Sequence, residues 1–570
     1  MITKTERVDD IPLLIAELEK SNLSKLLNQY FPDHGNWKGV DGGTVTLIFL
    51  TYILSRGDHR LSHVEEWVKD RLITLRYCTD KLELSAKDFT DDKLGTLLDI
   101  YSNMDQWSCF EQSHNQELIN VFNLNASKEA IRLDAMITQS FREPKGDFQY
   151  GHSKQHRSDL PQLKTMIATL DPMAMPLHSL SVAGNTADDV LYWPVIETLI
   201  KELPLIHQLF VGDSKMGSME TRAKIGSRDH YYLLPLSKKQ CSTKQLAAYV
   251  KLQPPTLVRI TQEQKDGSHK LKAKAFETTE VLQYENFGTP WVERRIIVYS
   301  PAYAKRQTIA LEDRLAKAQN ELSLLVESKQ GRKKAKTKEE LLGMTNQVLS
   351  KHKVKDLLSV EINEEITTKT IRAYLGKPKR EEQKSHFSIT VQVNKEEKQK
   401  QLECLGWRAY ATNAPIERLS TIQAVECYRN EYKIEHKFDE LINKVTALMP
   451  VLLQKPNRIK ALICLLLLAL KFVSLIQYQV RNELATTKQK VKELYPGNPA
   501  RTTDKPTTNL LLKAFQNITL VIASIDNKIY VDLKDLKPIQ LKILELLKIP
   551  PETYLGLNEL FFSNFDFGET

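Results

Sequence analysis

Residues 130–141 read AIRLDAMITQSF. Apolar and polar residues alternate through this run and polar residues bracket it, the pattern of a β-strand. Asp134 stands mid-strand among Ile131, Leu133 and Met136. Two further strands follow, LKTMIATL (163–170) and PLHSLSVAG (176–184). The chain then turns between Gly184 and Asp189 into a helix predicted over 189–201. Two short strands come next, LFVGDS (209–214) and YYLLPLS (231–237). Asp213 closes the first of these and is followed by Ser214, Lys215 and a Met-Gly turn. Acids at strand ends of α/β sheets collect at one edge, where ligands bind. Taken singly, Asp134 is more readily a turn or surface aspartate, and Asp213 is evenly balanced between roles.

Three strands, a helix and then a strand is the order of a ribonuclease H-like domain, a mixed sheet with acids at strand ends. A later stretch completes it. Residues 405–444 read LGWRAYATNAPIERLSTIQAVECYRNEYKIEHKFDELINK. Gly406 to Thr412 is strand-like and is closed by Asn413, Ala414 and Pro415. Ser420 suits a helix N-cap. Ile422, Val425, Tyr428, Tyr432, Ile434, Phe438 and Leu441 recur mostly three or four apart, which predicts one buried helix face. Glu435 lies seven residues after Tyr428, close to two turns, so the two share a face. Arg429, Lys433, His436 and Lys437 surround it with cations.

Asp134, Asp213 and Glu435 thus come as strand acid, strand-end acid and helix acid. Three carboxylates are hard oxygen ligands that can hold two Mg²⁺ ions. Two such ions, roughly 3.5–4 Å apart, activate a water or 3′-hydroxyl and stabilise the leaving oxygen at a phosphodiester. In that arrangement Asp134 bridges both ions, and Asp213 and Glu435 each serve mainly one.

The segments FTDDKLG (89–95), LDAMITQSF, GHSKQHRSDLPQLKTMIATLD, VAGNTADD, VGDSKMGS, ATNAP and YRNEYKIE occur in this order over most of residues 90–520. In this the chain resembles the DDE-type insertion-sequence transposases of the IS-four type, in the branch with a long insertion before the Tyr-Arg-Glu-Lys signature. Tyr428 and Glu435 match that signature. Its Arg position falls on Glu431, with Arg429 nearby, and its Lys position on Ile442, with Lys437 and Lys444 nearby. The resemblance implies metal-dependent cleavage and strand transfer at element ends. It implies the same three acids, Mg²⁺ (with Mn²⁺ as substitute), double-stranded DNA as partner, and a homodimer in a synaptic complex. It also implies a bacterial, cytoplasmic enzyme, nucleoid-associated when on DNA. Lys154, Arg157, Lys215, Tyr428, Arg429 and Lys437 are the candidate DNA contacts, although Tyr428 on an apolar helix face equally suits packing.

At 570 residues the chain exceeds one ordinary core, and roughly two to four domains are expected. Its 41% hydrophobic and 26% charged residues are those of a globular protein. The net charge of +9 mildly favours an anionic partner. The six cysteines are scattered singly, which argues against a zinc ribbon and for a reducing compartment. The start, MITKTERVDD, has no apolar signal core. The apolar run Ala461–Leu470 ends at Lys471 and reads as a buried helix rather than a membrane span.

The expected fold is a multidomain α+β and α/β chain. Residues 1–125 form a helical domain, either a DNA-end reader using Arg56, His59 and Arg60 or a packing bundle. Residues 126–239 and 401–480 form the two parts of the core. Residues 240–400 form an inserted β-rich subdomain with a helical arm, which includes the basic run KQGRKKAKTK (329–338). Residues 481–570 form a C-terminal helical and hairpin region with a turn at Asp526-Asn527.

Asp188 and Asp189 stand where a helix begins and read better as caps than as catalysts. His152 and His156, four apart, lack a further ligand and read as polar loop residues. There is no GxxxxGK[ST] loop and no GxSxG elbow, so ATP use and serine hydrolysis have no support. Two other readings stay open: a catalytically decayed DNA-binding relative, motivated by Glu431 and Ile442, and a nuclease that cleaves without joining.

Overall fold

The computed structural model describes residues 2–141, 143–152, 157–263, 268–284, 287, 289–327, 335, 337–371, 380–430, 432, 453–525 and 528–559. The chain forms two compact units. One is Met1–Leu234 with Gln283–Thr289 and Cys427–Thr570, and the other is Pro235–Leu282 with Pro290–Glu426. The N-terminal helices, the first part of the core and the C-terminal region therefore share one unit.

In the first unit, β1 (Ile2–Arg7) precedes a helical stretch, and β2 (Ala130–Gln139), β3 (Gln162–Leu170), β4 (Met175–Ala183), β5 (Leu209–Gly212) and β6 (Tyr231–Pro235) follow. The last five lie in the order β4-β3-β2-β5-β6. The pairs β3–β4 and β2–β3 are antiparallel, while β2–β5 and β5–β6 are parallel, so the sheet is mixed. The strand succession read from the sequence is present, but β2 is not half-buried. Every residue of it except Asp134 is buried. A strand between two neighbours and covered on both faces has no solvent face to pattern.

Helix Pro456–Thr487 runs through the apolar centre of this unit. It is long and apolar enough to cross a membrane by composition, yet its 18-residue apolar window, with a mean hydropathy of 2.5, is 94% buried. It packs on β4 and on helices Asp91–Tyr101, Gly42–Arg56 and Pro538–Leu547. Lys471, 2% exposed, donates to Asn115 Oδ1 at 2.7 Å, which satisfies the charge inside the core.

The N-terminal helices begin as their caps dictate. The Asp41 side chain accepts from the Thr44 N–H at 2.8 Å, and Thr90 accepts from Lys93 N–H ahead of Asp91 and Asp92 in the first turn. The loop proposed for phosphate contact is largely committed internally. Arg60 pairs with Asp58 at 2.9 Å, and His59 is buried.

Asp10 is 6% exposed and accepts from Ser55 Oγ at 2.6 Å. Burial pushes its carboxyl up to about 6 from the usual 3.8. Between those values the native protein holds a proton that the unfolded chain has released, so stability falls as pH rises through this window. Asp10→Asn is expected to remove that slope, a change of about 3 kcal/mol between pH 3.5 and 7. Urea unfolding at several pH values checks it, and parallel wild-type and variant profiles would contradict it.

The second unit contains β7 (Val258–Glu263), β8 (His269–Leu282), β9 (Trp291–Tyr299), β10 (Leu358–Ile371), β11 (Arg380–Val393) and β12 (Trp407–Thr412). The strands β12-β9-β8-β7 are antiparallel neighbours, and β10 and β11 form a separate hairpin. Helix Pro301–Val326 packs against a second helix, Lys338–His352, through Leu311, Leu315, Leu322, Val348 and Leu349. The helical arm expected in this region is thus a pair of helices. Most of the basic run 329–338 lies outside the described residues, as does the turn at Asp526-Asn527. Gly406 enters β12 at φ +87°, and a Cβ there would sit 2.6 Å from Ala304 Cβ, so both the backbone and the space require glycine.

Back in the first unit, β13 (Thr519–Ile525) and β14 (Lys528–Leu533) pair as a hairpin, and β1 adds to it antiparallel with Ile2 opposite Ser524. The N-terminus, read as part of a helical region, thus opens as a strand.

Candidate active site

The parallel register of β2 and β5 brings the two strand acids together. Leu133 is the Cα partner of Gly212, so the next residue of each chain segment, Asp134 and Asp213, lies side by side where β5 ends. Asp134 is the one opening in an otherwise buried strand.

Asp213 is held by two donors on one oxygen. Tyr192 Oη donates to Oδ1 at 2.7 Å, and the Lys215 backbone N–H donates to the same atom at 2.8 Å. Oδ2 has no hydrogen-bond partner among the described residues. Burial, together with the Asp213 charge, pushes the Tyr192 phenol well above its ordinary range, so it acts only as a donor. Gly212 permits this approach. A Cβ there would stand 2.8 Å from Met216 Sδ and 3.0 Å from Tyr192 Cε1.

Asp188 belongs to the same cluster, and its role differs from the capping expected of it. It occupies the position before the 3₁₀ turn Asp189–Leu191, but its side chain makes no cap hydrogen bond. One oxygen instead pairs with Lys164 Nζ at 2.5 Å and the other with Lys215 Nζ. Burial would raise the Asp188 carboxyl, but the two ammonium groups hold it below the usual range. Partial burial would lower Lys215, but Asp188 foremost, then Asp213 and Asp134, push it up. Two positive side chains are held here beside three carboxylates.

The helix predicted to lead to Glu435 starts at Thr421 and is described as far as Arg429. Ser420 caps it as expected: its Oγ accepts from Gln423 N–H at 3.3 Å, while Gln423 Oε1 accepts from Ser420 N–H at 2.9 Å. The buried face is Thr421, Ala424, Val425 and Tyr428, whereas Ile422 and Tyr432 are 42% and 51% exposed. The face predicted from apolar spacing is therefore rotated. Tyr428, at 9% exposed, has the packing position, and Arg429 is half-buried. Glu435, Lys437, Lys154, His156, Glu431 and Ile442 lie outside the described residues. Arg157, exposed, pairs with Asp159 at 2.7 Å and sits over the Phe141 ring.

Two buried arginines support these elements and were not singled out in the sequence. In the first unit Arg132 of β2 forks onto Asp171 with contacts of 2.6–2.9 Å, and its Nη2 also reaches Cys427 Sγ at 3.5 Å. In the second unit Arg294 donates to the carbonyls of Ala414 at 2.9 Å and Leu419 at 2.7 Å. It also pairs with Glu277 at 2.7 Å, which fixes the ATNAP turn before the helix. A charged residue inside a core strand, with an opposite charge elsewhere in the chain, was the available signal.

Among the described residues no group of three His, Cys, Asp or Glu side chains is disposed to hold a metal ion. Asp134 and Asp213 nevertheless supply adjacent hard oxygens, a donor set that fits a divalent cation once a third carboxylate joins it.

The family described as a transposase DDE domain matches residues 133–472, more than half of the chain and inclusive of both acids. Among solved structures, the chain is similar to one described as the piggyBac transposase synaptic complex with hairpin DNA, determined by cryo-EM. The identity is 9% and the TM-score 0.22, with 60% of this chain and 71% of that chain covered. No curated protein matches the chain. The match through Asp134, Asp213 and the helices beyond them places this chain in the transposase DDE domain family: it is a DNA transposase, an enzyme of DNA cleavage and strand transfer.

Proposed function

We propose that the protein cleaves and rejoins double-stranded DNA at the ends of an insertion sequence, with Asp134, Asp213 and Glu435 as its catalytic carboxylates. The observation that carries this reading is the side-by-side placement of Asp134 and Asp213 at the end of β5. These residues would hold two Mg²⁺ ions, for which Mn²⁺ substitutes. The bound ions would supply activation of the attacking oxygen and stabilisation of the leaving one. Tyr192 and the Lys215 N–H orient Asp213, and the Lys215 ammonium provides a positive charge beside the carboxylates. Arg157, Lys215 and Arg429, with Lys154 and Lys437, are the proposed phosphate contacts, and Tyr428 supports the helix beneath them. Phosphate contacts of this kind position DNA without reading its sequence.

Tyr428 and Glu435 at signature spacing support the IS-four type and its long-insertion branch. The five segments 1–125, 126–239, 240–400, 401–480 and 481–570 are proposed as an end-binding region, the first part of a ribonuclease H-like core, the insertion, the second part of that core and a C-terminal region. A homodimer on paired ends and residence in the bacterial cytoplasm belong to the same reading.

The test is cleavage and joining of a DNA fragment bearing the element's own ends, with Mg²⁺. The wild type is compared with Asp213→Ala and Glu435→Ala. Products from the wild type alone, with all three proteins binding the ends, are expected. Equal cleavage by all three would overturn the assignment of these acids.

A further inference from the structure

We propose that Asp188 is a positioning residue that holds the Lys215 ammonium, so that Lys215 competes less with a divalent cation for the Asp134–Asp213 carboxylate pair. The inference rests on the reading of Asp134 and Asp213 as metal ligands. Lys215 begins beside that pair, since its own backbone N–H is bonded to Asp213 Oδ1 at 2.8 Å. A lysine stem is long and flexible, and its ammonium is a compact point charge that follows the nearest carboxylate. In the structure that carboxylate is Asp188, the only ion-pair partner of Lys215 among the described residues.

Asp188 is itself held in place. Its second oxygen is bound to Lys164 of β3, whose side chain is 10% exposed and whose ammonium also donates to the Thr186 carbonyl. Tyr192, four residues after Asp188, donates to Asp213 Oδ1. One short segment, 186–192, therefore touches both the carboxylate Asp213 and the ammonium of the lysine two residues beyond it. If Asp188 is removed, Lys164 keeps the Thr186 carbonyl. Among the described residues, the acids whose field then still reaches Lys215 are Asp213 and Asp134. Lys215 then competes with the cation for those acids.

The experiment is Mn²⁺ binding to the full-length protein without DNA, read from the electron paramagnetic resonance of the free ion. Four proteins are compared: wild type, Asp188→Ala, Asp188→Ala with Lys215→Gln, and Asp213→Ala. Asp188→Ala is expected to bind Mn²⁺ on the order of tenfold more weakly, as one added unit charge at contact range in a partly solvated site suggests. Adding Lys215→Gln is expected to restore binding to the wild-type level, which no direct ligand role or folding role of Asp188 would produce. Wild-type affinity in Asp188→Ala, or a loss that Lys215→Gln does not restore, overturns the proposal. Asp213→Ala separates the two levels of the argument. If Asp213→Ala binds Mn²⁺ as the wild type does, the metal-site reading itself fails. If Asp213→Ala loses the ion while Asp188→Ala does not, the site stands and only the role of Asp188 is wrong. Asp188→Asn, which removes the charge and keeps a single acceptor oxygen in place of the two that the lysines now use, replaces the alanine if thermal melting shows that variant unfolded, with the same outcomes.

Discussion

Replacing Asp134 with alanine is expected to lower strand cleavage by about 10³-fold or more while leaving DNA binding and the fold intact, the scale seen when a group that stabilises transition-state charge is deleted. The physical basis is local. Asp134 is the single position of β2 that is not buried, and Asp213 lies beside it across the parallel register. A carboxylate in an otherwise buried strand brings a desolvation cost that a cation at the same edge would offset. Asp134→Asn keeps the shape and removes the charge, so it should lose nearly as much activity as the alanine. Cleavage of end-bearing DNA measured beside a gel-shift titration checks this. Asp134→Ala activity within tenfold of the wild type, at equal DNA binding, would be incompatible with a ligand role.

The largest effect on stability is expected from Asp171→Ala, about 3–5 kcal/mol, because it strands a buried cation. Arg132 is 1% exposed and gives three hydrogen bonds to Asp171, and its Nη1 has no partner among the described residues. With Asp171 gone, the guanidinium keeps, among the described residues, the weak contact to Cys427 Sγ. Replacing both residues together, Arg132→Met with Asp171→Leu, should be much less destabilising than Asp171→Ala alone, since a packed apolar pair owes no desolvation. Urea unfolding of the three proteins decides it. A double variant less stable than Asp171→Ala would show that the pair contributes more than charge compensation. Because Arg132 directly precedes Leu133 and Asp134, Asp171→Ala should also impair cleavage where the protein remains folded.

The strands of the core, their succession along the chain, Asp134 within one strand, Asp213 after another and the cap of the later helix were legible in the sequence, because each is written locally. Alternation and apolar runs mark β2 to β6, a turn after LFVGDS marks the end of β5, and Ser420 with Gln423 marks a helix start. The burial of the Pro456–Thr487 helix, with Lys471 inside it, was legible too, since a charge breaks the apolar run well short of a membrane span.

What depended on partners far away in the chain was decided by the tertiary structure alone. Strand β1 has no stability until it meets β13, some five hundred residues later, so its polar-looking sequence carried no strand signal of its own. The helix Lys338–His352 shows few apolar residues because only one narrow stripe meets its neighbour. Ile422 and Tyr432 satisfy the helical period yet face outward, since spacing sets which residues share a face but not which face is covered. Asp188 occupies a capping position, and sequence position alone assigns it there. Only the placement of Lys164 on β3 and Lys215 after β5 draws its carboxylate to the candidate site instead, because two ammonium groups are stronger partners than a backbone N–H for one partly buried charge.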